Sequence, residues 1–151
     1  MYSYVGGTDG AVPQAGLLID GVMNLFGTTS GGDTNGFGTV FKLAPNGSGS
    51  YVESILFSFA NAPEGGPAGL LIMDGAGNLY GTTLGYSGGS PGYGAVFKLA
   101  PNGAGGYAES VLYAFTGASD GASPRAGLIR DSAGNLYGTA SAGGNSNCNK
   151  G

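Results

Sequence analysis

Histidine and tryptophan are absent from this chain, cysteine occurs once, and only 9% of the residues are charged. Without histidine the usual general base and the commonest zinc ligand are missing. Ser-His-Asp and Cys-His catalysis are therefore excluded within these 151 residues. Positive charge is scarce too: five Lys and Arg against nine Asp and Glu leave a formal net charge of −4 with no basic cluster. That removes the electrostatic footprint of a nucleic-acid binder and does not suit an anionic membrane surface. No apolar run approaches the roughly 20 residues of a membrane-spanning helix. Met1-Tyr2-Ser3-Tyr4 lacks the basic and apolar regions of a signal peptide, so the signal of an exported parent protein is expected outside this chain. Helical spacing is missing as well. No segment keeps apolar residues at i, i+3 and i+4 for three turns, and glycine interrupts every candidate window at a cost of about 1 kcal/mol relative to alanine.

What is present is glycine, 34 residues of it, with seven prolines, a content that borders on low complexity. Disorder goes with few aromatics and many charges, whereas 11% of this chain is aromatic. An ordered fold with apolar mass to bury is expected. Its organisation emerges when the chain is aligned with itself. Asn24-Leu25-Phe26-Gly27-Thr28-Thr29 returns as Asn78-Leu79-Tyr80-Gly81-Thr82-Thr83 and as Asn135-Leu136-Tyr137-Gly138-Thr139. The segment from Phe41 to Gly47 returns unchanged from Phe97 to Gly103, and Glu53 to Phe59 returns as Glu109 to Phe115. The period is about 55 residues.

Each unit reads as four short strands, A to D, separated by turn residues. In the first unit these fall near Leu17 to Ile19, Asn24 to Thr29, Gly38 to Ala44 and Tyr51 to Phe59. Ile55, Phe57 and Phe59 alternate along strand D, as Val111, Tyr113 and Phe115 do, which predicts one strongly apolar face. Leu56 and Leu112 make the other face apolar too, as packing between units requires. Asp74-Gly75-Ala76-Gly77-Asn78 and Asp131-Ser132-Ala133-Gly134-Asn135 predict tight A-to-B turns, and Pro45-Asn46-Gly47 and Pro101-Asn102-Gly103 predict C-to-D turns. Met23 replaces the glycine of the A-to-B turn in the first unit and weakens it.

The fold class expected is all-β, made of four-stranded antiparallel β-propeller blades, two complete and two partial. Residues 1–15 are expected to hold the last strand of a preceding blade plus a loop, because Tyr2 to Gly16 aligns with Tyr113 to Gly127 at a constant offset. Blade 1 then spans 16–68, blade 2 spans 69–125, and 126–151 hold the first two strands of blade 3, where the propeller is expected to be truncated.

The blocks Asp-x-x-Gly-Asn-Leu-Tyr-Gly-Thr, Gly-x-Val-Phe-Lys-Leu-x-Pro-x-Gly and Val-Leu-Tyr-x-Phe resemble the GloVer (Gloeo/Verruco) tandem repeat, and they recur in one order over essentially the whole chain. The resemblance implies a bacterial exported repeat protein, often with a C-terminal sorting anchor, and hence an extracellular or cell-surface location. It supplies no catalytic residue. In similar units a second cysteine follows shortly, so the resemblance implies that a small loop disulfide just beyond Gly151 would fit an oxidising compartment, whereas within this chain the Cys148 thiol is left free.

Length variation locates the face on which function can vary. The A-to-B and C-to-D turns keep their lengths between units, whereas the B-to-C and D-to-A loops do not, and in an up-and-down meander those loops share one rim. Binding residues concentrate on loops held by a rigid scaffold. The rim candidates are Tyr86, Tyr93, Asp33, Phe37, Asp120 and Arg125, with the two tyrosines foremost because ring faces suit sugar stacking. Other constellations read as structure. Asp20, Asp74 and Asp131 recur at equivalent turn positions, unlike the opposed carboxylates of a glycoside hydrolase. Those turns are too short for the six to eight oxygens of a calcium site. Lys42 and Lys98 read as apolar stems with solvated ammonium groups. No catalytic residue, metal or cofactor is expected.

The reading these features favour is a non-catalytic extracellular binding module, for surface attachment or for a partner such as a polysaccharide or a protein. The alternatives are the non-catalytic part of a secreted carbohydrate-active enzyme and a purely structural spacer. Terminal units with uncovered apolar faces also predict self-association of the chain.

Overall fold

The computed structural model describes residues 2–60, 65–85 and 92–144, and the described residues are strands, turns and loops without a helix. The first unit contributes β1 (Ala11–Pro13), β2 (Leu18–Ile19), β3 (Leu25–Gly31), β4 (Thr39–Pro45) and β5 (Tyr51–Ser58). The second contributes β6 (Ile72–Met73), β7 (Leu79–Thr83), β8 (Ala95–Pro101) and β9 (Tyr107–Ala114), and β10 (Ile129–Arg130) and β11 (Leu136–Tyr137) begin a third. All pairings are antiparallel, in the orders β1-β3-β4-β5, β6-β7-β8-β9 and β10-β11. The architecture is all-β, a succession of antiparallel sheets of the four-stranded kind.

Two departures from simple strands recur. Strand A is split: Pro13 pairs with Thr29 but Leu18 pairs with Phe26, so two extra residues bulge out between β1 and β2 on their common partner β3. The bridge from Pro67 to Thr83 followed by Ile72 to Tyr80 repeats the same shift. Strand D carries a bulge as well. Phe41 pairs with Ile55 and Val40 with Phe57, leaving Leu56 extra, and Phe97, Val111, Val96, Tyr113 and Leu112 repeat that arrangement. Directly opposed residues share a face, so Ile55 and Phe57 lie on opposite faces of the sheet. The plain alternation expected along strand D is thus broken by one inserted residue, and the bulge is what makes both faces of β5 apolar.

The sheets stack through one repeated contact. Phe97 lies over Gly81 across the β7–β8 ladder, so closely that a Cβ on Gly81 would stand 2.6 Å from the ring. Phe41 covers Gly27 in the same way, at 2.5 Å. An aromatic laid over a cross-strand glycine restores the packing that the glycine lacks. The exposed side of each ring is then met by an aromatic from the unit before. Phe59 meets Phe97 edge-on with centroids 5.3 Å apart, and Tyr4 meets Phe41 at 5.2 Å. Around the first of these pairs Phe26, Val40 and Leu56 close on Leu71, Leu79 and Leu99 to form the core. Each such side chain contributes about 1.5–3 kcal/mol by leaving water.

The strand expected at Tyr2 to Tyr4 does not form; the backbone there is unpaired. The segment nevertheless sits where strand D of a preceding unit would sit. Tyr4 holds it on Phe41, and the Tyr2 hydroxyl donates to Glu53 Oε2 at 2.7 Å. That bond pushes the Tyr2 hydroxyl up to about 12.

At the A-to-B turns the expected aspartates do the folding. Asp74 Oδ1 accepts from the Ala76 and Asn78 amides and Oδ2 from the Asn78 side chain, and Asp20 and Asp131 hold their turns in the same way. The Tyr80 and Tyr137 hydroxyls add a further bond, which Phe26 has no atom to make. Met23 completes the same turn as Gly77 but does so at φ 67°. A left-handed backbone costs a side-chain-bearing residue about 1–2 kcal/mol. The cost, not a different turn, is the departure in this unit.

Two stability measurements test this account. Phe97→Ala is expected to cost about 3–5 kcal/mol in denaturant unfolding; a loss below about 1 kcal/mol would deny the ring its place between the sheets. Met23→Gly is expected to stabilise the chain by about 1 kcal/mol, and an unchanged or lowered unfolding midpoint would show that the turn carries no strain.

Candidate functional site

The loops that vary in length gather along one edge, and they do so by hydrogen bonds between neighbouring connections. Asp33 N donates to Gly7 O at 2.9 Å, joining the B-to-C loop of the first unit to the segment before β1. Phe59 N donates to Gly38 O at 3.1 Å, and Leu84 N to Gly66 O at 3.1 Å. Phe115 N then donates to Gly94 O at 3.0 Å and Ser123 N to Tyr93 O at 2.7 Å. B-to-C and D-to-A loops therefore alternate along a continuous rim. The invariant turns of Asp20, Asp74, Asn46 and Asn102 stand at the other ends of the strands, where Asn102 Oδ1 accepts from the Ala104 and Gly106 amides.

Tyr93 is the rim residue best disposed to meet a ligand. Its ring rests against Gly117 of the next loop, where any side chain would collide with it, and 39% of the residue remains exposed. A ring seated on one side and open on the other is pre-oriented for stacking. Tyr86, its expected companion, lies outside the described residues, as does Cys148.

The other rim candidates take distinct places. Asp120 lies in the same loop cluster as Tyr93, but its carboxylate is fully engaged by the chain. Oδ1 accepts from the Thr116 hydroxyl at 2.6 Å, and Oδ2 accepts from the Thr116 amide at 2.8 Å and the Tyr113 hydroxyl at 2.9 Å. The Thr116 hydroxyl, with the amide behind it, holds the Asp120 carboxyl down to about 2. Phe37 is half-buried and packs on the core between the first two units, so its ring braces the rim from beneath. Asp33 occupies a left-handed turn at φ 63°, and Arg125 is exposed beside Pro124.

Two features were not singled out from the sequence. Asp9 organises the segment before β1 by accepting from the Val5 and Gly7 amides, as Asp120 does 111 positions later. The self-alignment that pairs Tyr2 with Tyr113 also pairs these aspartates, so the signal was there. The second is a groove of about 470 Å³ at the opposite end, where Asp20, Asn24 and Lys42 of the first unit face Pro101 and Tyr107 of the second. Each of these residues reads as a turn or strand residue within its own unit, and only the stacking of sheets brings them together. Burial, with the Asp20 charge adding to it, raises the Tyr107 hydroxyl.

Asp9, Asp20, Asp74, Asp120 and Asp131 accept from amides of their own turns, and among the described residues no three His, Cys, Asp or Glu side chains are grouped to hold a metal ion. Lys98 extends over the Tyr80 ring, with its ammonium 6.0 Å from the centroid.

A protein-family model described as the Gloeobacter/Verrucomicrobia repeat matches residues 1–150. No curated protein and no solved structure matches the chain.

The turn carboxylates set an acid limit. Asp74, held down to about 2 first by the Asn78 side chain, and Asp120 both have folded values below the ordinary one of 3.8. A depressed carboxyl stabilises the fold above its unfolded value, and that contribution is lost as pH falls through the folded one. Stability is expected to be level above about pH 5 and to decline between about pH 4 and 2. Asp74→Asn should flatten that decline in thermal unfolding followed against pH, and a variant with the parent's acid profile would remove the turn from this role.

Proposed function

The chain belongs to the Gloeobacter/Verrucomicrobia repeat family, and from that premise we propose that it is a non-catalytic extracellular binding module whose loop rim engages a polymer, a cell-surface polysaccharide in the first instance. The observation that carries this reading is the confinement of length variation to connections that pack into one edge, above sheets whose cores repeat position for position. Loops on such a scaffold can change without disturbing the fold. Tyr93 supplies a seated, half-open ring of the kind that stacks on a sugar face. Carboxylates tied into turns support recognition over hydrolysis, because a general acid and its partner need free oxygens directed at the substrate.

The reading is tested on a glycan array with the parent chain and its Tyr93→Ala and Tyr86→Ala variants. Removing a stacking ring is expected to weaken binding about tenfold, with unfolding midpoints unchanged. Binding retained by both variants would remove the rim tyrosines as the site, and an array with no binding by the parent chain would remove the polysaccharide.

A further inference from the structure

We infer that the groove between the A-to-B turn of the first unit and the C-to-D turn of the second takes a phenolic ring, whose hydroxyl donates to Asp20 Oδ2. Three copies of one turn carry this, because they are not satisfied alike. In the second unit Asp74 Oδ2 accepts from the Asn78 side chain at 2.8 Å and from the Tyr80 hydroxyl at 2.9 Å. In the third, Asp131 Oδ2 accepts from Asn135 at 2.8 Å and Tyr137 at 3.0 Å. In the first, Asp20 Oδ2 accepts from the Asn24 side chain alone, because Phe26 stands where the tyrosines stand and brings no hydroxyl. A charged oxygen is thus left with an open acceptor position on the wall of a groove of about 470 Å³.

The surroundings of that oxygen are built to match. Phe26 pairs directly with Lys42 across the β3–β4 ladder, as Tyr80 pairs with Lys98. Lys98 extends over the Tyr80 ring, whereas Lys42 lines the groove and makes no ion pair among the described residues. The floor is apolar: Phe26 and Leu56 are 4% and 7% exposed, and Met73 and Pro101 of the second unit complete it. Tyr107 closes the far side. From residue 20 to 26 the first unit differs from both other units at Val22, Met23 and Phe26. Val22 and Met23 add apolar bulk, exposed on the turn between the lining residues Asp20 and Asn24. The departures of this turn thus gather around the open carboxylate.

The chemistry of the ligand follows from the group that serves the equivalent aspartates. One hydroxyl on an aromatic ring donates to Asp20 Oδ2 as Tyr80 does to Asp74, its oxygen accepts from Lys42, and the ring covers the apolar floor. A sugar would bring several further hydroxyls over side chains that have no partner for them. The phenol is either a small molecule or the side chain of a tyrosine in another polypeptide. The groove lies at the opposite end of the sheets from the loop rim, and neither proposal depends on the other.

The probe is 4-fluorophenol, titrated into the whole chain and followed by fluorine NMR. Saturable binding is expected, and fluorobenzene, which lacks the hydroxyl, should bind about tenfold more weakly. Phe26→Tyr gives Asp20 the hydroxyl that the other units have, so it should abolish binding without lowering the unfolding midpoint. Lys42→Met should weaken binding about tenfold and covers the case in which the first variant fails to fold. Displacement of the probe by N-acetyltyrosine amide would assign the phenol to a tyrosine side chain, and failure to displace it would assign it to a small molecule. Absence of saturable binding, equal binding of fluorobenzene, or binding unaffected by a folded Phe26→Tyr or by Lys42→Met would overturn the proposal.

Discussion

The structure depends on an aromatic ring lying over a glycine in the neighbouring strand. Phe97 on Gly81 fixes the register of β7 against β8, since a slip of one residue would put a Cβ under the ring and turn the ring to the other face. The same ring is the surface on which the preceding unit lands through Phe59. Local pairing and the stacking of sheets are thus one interaction seen from two sides. A chain with so few charges and so much glycine stays ordered because its small residues lie where large ones need room.

Much of this was legible in the residues. The repeat located the strands, and β3, β4 and β5 fall within a residue or two of the segments that Asn24-Leu25, Val40-Phe41 and Glu53-Ser54 announced. The aspartate turns were legible because an Asx side chain and a following glycine leave little choice of geometry. The bulges were not. Leu56 looks like any strand residue, and only the ladder shows that Phe41 and Val40 face residues two apart on β5. Nor was the split of strand A visible, because only the pairing with β3 and β7 shows that five positions on one strand span three on the other.

For the candidate site the division follows physics in the same way. Loop length told which rim varies, and the hydrogen bonds along that rim show the loops meeting. It could not tell a free side chain from an engaged one. Asp120 and Tyr93 look equally available in the sequence, yet the carboxylate satisfies three donors of its own loop while the tyrosine ring rests on Gly117 with its other side open. Engagement of that kind is decided by neighbours four to seven positions away and by the next loop, which no single segment reveals.

The alternation of B-to-C and D-to-A connections along the edge carries a consequence for how such a module diversifies. Gly66 accepts from Leu84 on one side and fits beneath Phe37 O and Ser30 O on the other, and the Tyr93 carbonyl receives Ser123. Every connection is thus keyed to the one before and the one after. A change in one loop would call for a matching change in its neighbours, in the manner of interlocking tiles, and a lone graft would leave two seams unmatched.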